Sequence, residues 1–162
     1  MSDSLIALAA DVGARLQEKG ALLVTAESCT GGGVAHAVTA IAGSSAWFER
    51  GFIAYSNAAK EELLGVSREA LQRSGAVSEE VAQELARGAL RHSNGSVAVA
   101  VTGVAGPTGG TAAKPVGLVC FAWATRQRIW SESRQFAGDR ESVRRQSVTR
   151  ALQGLLEVLG SA

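Results

Sequence analysis

The chain has 162 residues, of which 19% are charged and 46% apolar, and its formal net charge is +1. That balance is ordinary for a globular domain with a real core. It lacks the basic excess of a nucleic-acid binder or of a membrane-surface protein, and no apolar run reaches the length of a membrane span.

Leu5, Leu8, Val12 and Leu16 recur at helical spacing and predict a first packing helix that stops at Gly20. Asp3 and Asp11 leave no basic n-region, so this start does not read as a signal peptide. A short strand is expected over Leu22 to Thr25. It runs into Glu27-Ser28-Cys29-Thr30-Gly31-Gly32-Gly33 and a small-residue helix from Val34 to Ile41. A glycine-rich turn between strand and helix exposes N–H groups where the dipole favours anions. Read alone, it is a phosphate cradle, a nucleophile turn or only a tight bend. Gly43-Ser44-Ser45 breaks the helix, and either serine is a natural cap for the short segment Ala46 to Phe48. A second strand is expected over Gly51 to Tyr55. Asn57 is expected to cap a helix running to Leu64, which places Lys60 in its first turn. A cation there opposes the helix dipole, and burial would lower its pKa further, as a general base requires.

Ser67 and Ser78 cap two further helices, the second reaching about Arg91. Ser96 to Val101 reads as a buried strand. It enters a second glycine-rich loop, Thr102-Gly103-Val104-Ala105-Gly106-Pro107, continuing to Thr111, which is neither a Walker A loop nor a dinucleotide fingerprint. Val116 to Ala124 and Ile129 to Phe136 form a hairpin pair. Asp139 caps the last helix, with Arg140 in its first turn. The order α-β-α-β-α-α-β-β-β-α predicts an α/β fold: a three-layer α/β/α sandwich on a mixed, largely parallel sheet.

If the first and third strands are parallel neighbours, the two glycine-rich turns share one sheet edge. They would line a pocket with Ser28, Thr30, Ser44 or Ser45, Tyr55, Lys60 and Thr102. No carboxylate pair of glycosidase type is present. Two Cys and two His, widely spaced, match no zinc pattern, so no metal and no cofactor is expected. Serine plus lysine, with backbone amides, suits acyl transfer from an amide or ester. Cys29 is a competing nucleophile with no assigned base. Cys29 and Cys120 fit reduced thiols in a cytoplasmic protein.

Several multi-residue motifs carry a resemblance: Thr25-Ala26-Glu27-Ser28-Cys29-Thr30-Gly31-Gly32, Ala42-Gly43-Ser44-Ser45-Ala46-Trp47-Phe48, Tyr55-Ser56-Asn57-Ala58-Ala59-Lys60, Gly75-Ala76-Val77-Ser78-Glu79, Thr102-Gly103-Val104-Ala105-Gly106-Pro107, Lys114-Pro115-Val116-Gly117 and Gly138-Asp139-Arg140. In that order, over nearly the whole chain, the sequence resembles the CinA C-terminal domain family, whose stand-alone members include bacterial nicotinamide-nucleotide amidases. The resemblance implies one domain over 1–162, without the further N-terminal domain of the larger family members. It implies hydrolysis of the carboxamide of nicotinamide mononucleotide in pyridine nucleotide recycling, with no metal and no cofactor. On the matching positions, Ser45 is expected as nucleophile and Lys60 as its base. Tyr55 would support the proton transfer or position Lys60, and Ser28 would assist or take the nucleophile's place. Thr30, Gly31, Gly32, Thr102, Gly103 and Gly106 are expected against the substrate, and Arg140 against its 5′-phosphate. The partners expected are the small-molecule substrate and a second copy of the chain, as a dimer, with neither nucleic acid nor membrane. The alternative is a non-catalytic pyridine-nucleotide-binding module linked to competence or DNA-damage responses.

Overall fold

The structure is a computed structural model that describes residues 1–160. Its elements in chain order are α1 (Asp3–Glu18), β1 (Leu23–Glu27), α2 (Gly33–Thr39), a 3-10 turn (Ser44–Ala46), β2 (Phe48–Ile53), α3 (Asn57–Leu64), α4 (Arg68–Ser74), α5 (Glu79–Arg91), β3 (Val97–Gly103), β4 (Leu118–Thr125), β5 (Ile129–Gln135) and α6 (Arg140–Gly160). The five strands form one sheet in the order β2-β1-β3-β4-β5. β1 is parallel to both β2 and β3, while β4 is antiparallel to β3 and to β5. β4 alone therefore runs against the other four strands, which is the mixed, largely parallel sheet expected. Among the described residues no helix is long and apolar enough to cross a membrane.

Strand alternation divides the sheet into two unlike faces. Leu23, Val97, Val99, Val101, Val119, Phe121 and Trp123 point to one side, where α1, α2 and α6 cover them through residues such as Leu16, Val38, Leu152 and Leu155. Ala26, Ala98, Ala100, Ala122 and Ala124 point to the other side, under Leu64, Val81, Leu85 and Ala89 from α3 and α5. The bulky face receives the long α6 across a filled layer. The alanine face lets α5 lie close to β3 and β4. A side chain at Gly88 would run into the backbone of Leu64, so α3 and α5 also meet closely.

Most strand boundaries shift by one to three residues from those expected, and two of the shifts are explained by the pairing of β1. β1 extends two residues beyond the predicted Thr25, to Glu27, because the pairing with β3 continues through Glu27↔Val101. β2 begins at Phe48 rather than Gly51, since Leu23↔Phe48 opens the β1–β2 pairing. The C-terminal ends of β1 and β3 then lie side by side, and both glycine-rich turns leave the sheet at that edge.

Candidate active site

Ser28 is the first residue past β1, and its backbone is fixed on both sides. Its N–H donates to Val101 O at 3.0 Å, and its carbonyl accepts from Gly31 N–H at 2.9 Å. Gly32 sits at φ 101°, a left-handed conformation that reverses the chain into α2 and that a side chain would strain. The N-terminus of α2 is occupied by the chain itself. The Glu27 carboxylate accepts from Thr30 Oγ1 at 2.6 Å, Val34 N–H at 2.8 Å and Ala35 N–H at 3.0 Å. The anion favoured by the dipole is thus an internal carboxylate, and the first turn is no phosphate cradle.

Lys60 reaches the same point from α3. Ser56, not Asn57, caps this helix: its side chain accepts from Ala59 N–H at 3.0 Å. Lys60 is consequently the fourth helical residue, and its side chain is only 2% exposed. Its Nζ donates to Ser28 Oγ at 3.2 Å and to the Tyr55 carbonyl at 2.8 Å. Burial holds the Lys60 pKa below its ordinary value. No carboxylate lines the surrounding cavity to counter this by ion pairing. The Cys29 thiol is pushed up to about 12 by burial, so it is protonated at neutral pH and a poor nucleophile.

The second turn supplies the opposite wall. The cavity, ≈ 290 Å³, is lined by Ser28, Cys29, Tyr55, Asn57 and Lys60 on one side and by Ala76, Val77 and the stretch from Thr102 to Gly106 on the other, with Thr108, Gly109 and Arg140. Thr102 Oγ1 donates to Ala76 O at 2.8 Å, and Lys114 Nζ donates to the carbonyls of Ser74 and Val77. These bonds tie the α4–α5 bend to the loop after β3. Arg140 donates to Gly106 O at 2.8 Å and to the Tyr55 hydroxyl at 3.2 Å, bridging the cavity mouth.

Of the predicted site residues, the structure gathers Ser28, Lys60, Tyr55, Thr102, Gly103, Gly106 and Arg140 around this one cavity. It does not bring Ser45 there. Ser45 is exposed in the 3-10 turn before β2, at the strands' starting end, because Leu23 N–H bonds Trp47 O. Five strand residues separate that end from Ser28, roughly 16 Å at strand rise. Thr30, Gly31 and Gly32 also lie outside the cavity lining: Thr30 is buried against Glu27, and the two glycines shape the turn. Tyr55 touches Lys60 through its carbonyl, while its phenol faces Arg140. Sequence reasoning overlooked Glu27, Lys114 and Arg144. Arg144 donates from Nε to Cys29 O at 3.1 Å and from Nη2 to Thr30 O at 3.3 Å. For Glu27 a signal was available, since an acid at the strand end, six residues before the helix start across a glycine-rich turn, is placed to meet the exposed N–H groups of that helix. Among the described residues no group of three or more His, Cys, Asp or Glu could hold a metal ion. A larger groove, ≈ 520 Å³, lies at the far sheet end. Arg87, Arg91, Arg126 and Arg128 line it, with no lysine, histidine or carboxylate to activate a hydroxyl.

Residues 5–159 match the family model described as the CinA C-terminal domain. The chain is 53% identical over 156 residues to the nicotinamide-nucleotide amidohydrolase PncC of Pseudomonas putida, covering 96% of this chain and 98% of that one. It is 53% identical over 157 residues to the nicotinamide-nucleotide amidohydrolase PncC of Escherichia coli, covering 96% and 95%. Among solved structures it superposes on the competence/damage-inducible protein CihA of Agrobacterium tumefaciens with a TM-score of 0.95 and 42% identity, covering 99% and 98% of the two chains.

Proposed function

The chain belongs to the CinA C-terminal domain family, and we propose that it is an amidohydrolase that converts nicotinamide mononucleotide to nicotinate mononucleotide and ammonia. The observation that carries the mechanism is the buried Lys60 Nζ at 3.2 Å from Ser28 Oγ, with no carboxylate in the cavity to keep it charged. In this reading Ser28 is the nucleophile, and Ser45 has no part in the chemistry.

The steps follow from the geometry. Neutral Lys60 accepts the Ser28 hydroxyl proton as Oγ attacks the carboxamide carbon. The Cys29 N–H follows the nucleophile and makes no hydrogen bond to a backbone carbonyl among the described residues. It faces the developing oxyanion, as the amide after a nucleophilic serine commonly does. Lys60, now an ammonium, returns its proton to the departing nitrogen, and ammonia leaves. The acyl ester on Ser28 is then attacked by water, which gives its proton to Lys60 Nζ. Collapse of the second tetrahedral species frees the carboxylate and restores the Ser28 hydroxyl. Arg140 at the mouth keeps guanidinium N–H groups beyond those on Gly106 O and Tyr55, and these receive the 5′-phosphate. The cavity is near the lower end of ligand-pocket volumes, which suits a pyridine carboxamide inside and the ribose phosphate across the mouth. Ammonia release from nicotinamide mononucleotide by the purified protein tests the reading. Tight pyridine-nucleotide binding with no product, from folded protein, would overturn it in favour of a binding module.

A further inference from the structure

The turn that carries Ser28 is built on two glycines, and glycines make a turn possible while leaving it soft. Gly31 sits at φ 59° and Gly32 at φ 101°. What stiffens the turn comes from the far end of the chain. Three successive peptide units follow Ser28, and the carbonyl of each is held. Gly31 N–H holds Ser28 O, Arg144 Nε holds Cys29 O, and Arg144 Nη2 shares Thr30 O with Gly33 N–H. Arg144 lies on α6, one turn after Arg140, and is half-buried. It makes no ion pair among the described residues. A guanidinium with no carboxylate, set on two consecutive carbonyls beside the reacting serine, acts on backbone direction.

On the serine–lysine reading of the site, we infer that Arg144 is a positioning residue: its fork on Cys29 O and Thr30 O holds the Ser28 hydroxyl and the Cys29 amide in register for attack. A planar trans peptide ties each carbonyl to the N–H of the next residue, so the fork fixes the Thr30 and Gly31 amides, and Gly31 N–H in turn holds Ser28 O, whose peptide unit carries the Cys29 N–H. Losing the fork frees a glycine-rich turn. A displacement on the order of 1 Å at the reacting atoms is worth about 100-fold in rate.

The test compares Arg144→Met, Arg144→Lys and Arg144→Ala with the native protein in steady-state ammonia release, with a fluorophosphonate labelling rate read separately. Arg144→Met should lose about 30- to 100-fold in kcat, with KM for nicotinamide mononucleotide within about threefold. Labelling of Ser28 by the fluorophosphonate should slow by a similar factor, which loss of global stability alone would not produce in folded protein. Arg144→Lys keeps the charge and a donor but loses the planar fork that spans both carbonyls, and should lose about tenfold in kcat. Millimolar guanidinium should restore part of the rate in Arg144→Ala. An unchanged kcat in Arg144→Met overturns the inference, as does a rise in KM alone, which would make Arg144 a substrate contact. If Arg144→Met does not fold, a native rate in Arg144→Lys overturns it equally. Ser28→Ala separates the two levels. Activity surviving in Ser28→Ala sinks the serine–lysine reading itself, whereas an inactive Ser28→Ala beside a fully active Arg144→Met sinks only the positioning role.

Discussion

Replacing Lys60 by Met separates the chemical role of the amine from its structural one. Methionine replaces the buried lysine stem with an unbranched apolar chain of similar length, so packing is nearly conserved. Two hydrogen bonds disappear, to Ser28 Oγ and to Tyr55 O. Each is worth roughly 1 kcal/mol, and both acceptors border the open cavity, where water can replace the amine. The buried ammonium also disappears, and its desolvation opposes folding whenever Lys60 is charged. The net stability change near neutral pH should therefore lie within about 2 kcal/mol, while kcat/KM falls by about 100- to 10,000-fold. The pH dependence is the sharper reading. The folded-state pKa lies below the ordinary 10.5, so between the two values the unfolded chain binds more protons than the folded one. Stability from this group is fully present above 10.5 and is lost as pH falls through the folded pKa. The native protein should gain on Lys60→Met as pH rises through that window, by up to about 1.4 kcal/mol per pH unit. Native kcat/KM should rise as pH passes the folded pKa and level off above it, short of the ordinary lysine range. Urea unfolding and ammonia release at matched pH values measure both. A flat stability difference, or a Lys60→Met variant within tenfold of the native rate, would refute the neutral-base argument.

Ser28→Ala should lower kcat by about four orders of magnitude or more, while Ser45→Ala, exposed at the opposite sheet end, should stay within about twofold; single-turnover ammonia release distinguishes them. Arg140→Ala should raise KM about tenfold or more for nicotinamide mononucleotide and much less for its dephosphorylated riboside, and equal effects on the two would remove the phosphate contact. Gly154→Ala should destabilise the fold by about 1–3 kcal/mol in urea with kcat unchanged, because a methyl there overlaps the Trp123 ring, which is also anchored through Nε1 to Ala151 O at 3.0 Å.

Most of the sheet was legible because its strands carry their own signal. Ser96 to Val101 alternates valine and alanine, and the structure turns that alternation into two faces, one filled by α6 and one closely covered by α5. The serines at 67 and 78 cap their helices as predicted, accepting from Ala70 N–H and Val81 N–H. The misplaced boundaries are those that pairing decides. β2 gains Phe48 to Arg50 because β1 pairs Leu23 with Phe48 and Val24 with Arg50 across a bulge at Glu49, although Phe-Glu-Arg carries little strand signal of its own.

The site divides along a similar line, and chain direction explains why Ser45 stands away from the cavity. Ser28, Tyr55 and Thr102 each stand at or just past the C-terminal end of a strand, and β1, β2 and β3 run in one direction, so the three must gather at one sheet end. Ser45 precedes a strand, and in the same sheet that places it at the other end. The family resemblance put Ser45 forward as nucleophile; connection type argues against it, using only the predicted elements. The residues that hold the site together were harder to read. Arg144 meets Cys29 and Thr30 from more than a hundred residues away, and Lys114 meets Ser74 and Val77 from the far side of β3. Both act on backbone carbonyls, which every residue possesses, so no side-chain pattern marks the partner. A cation whose acceptors are main-chain atoms looks, in sequence, like any solvated arginine or lysine. Only the fold shows that these two cations brace opposite walls of the cavity, while the lysine without a carboxylate between them stands against Ser28.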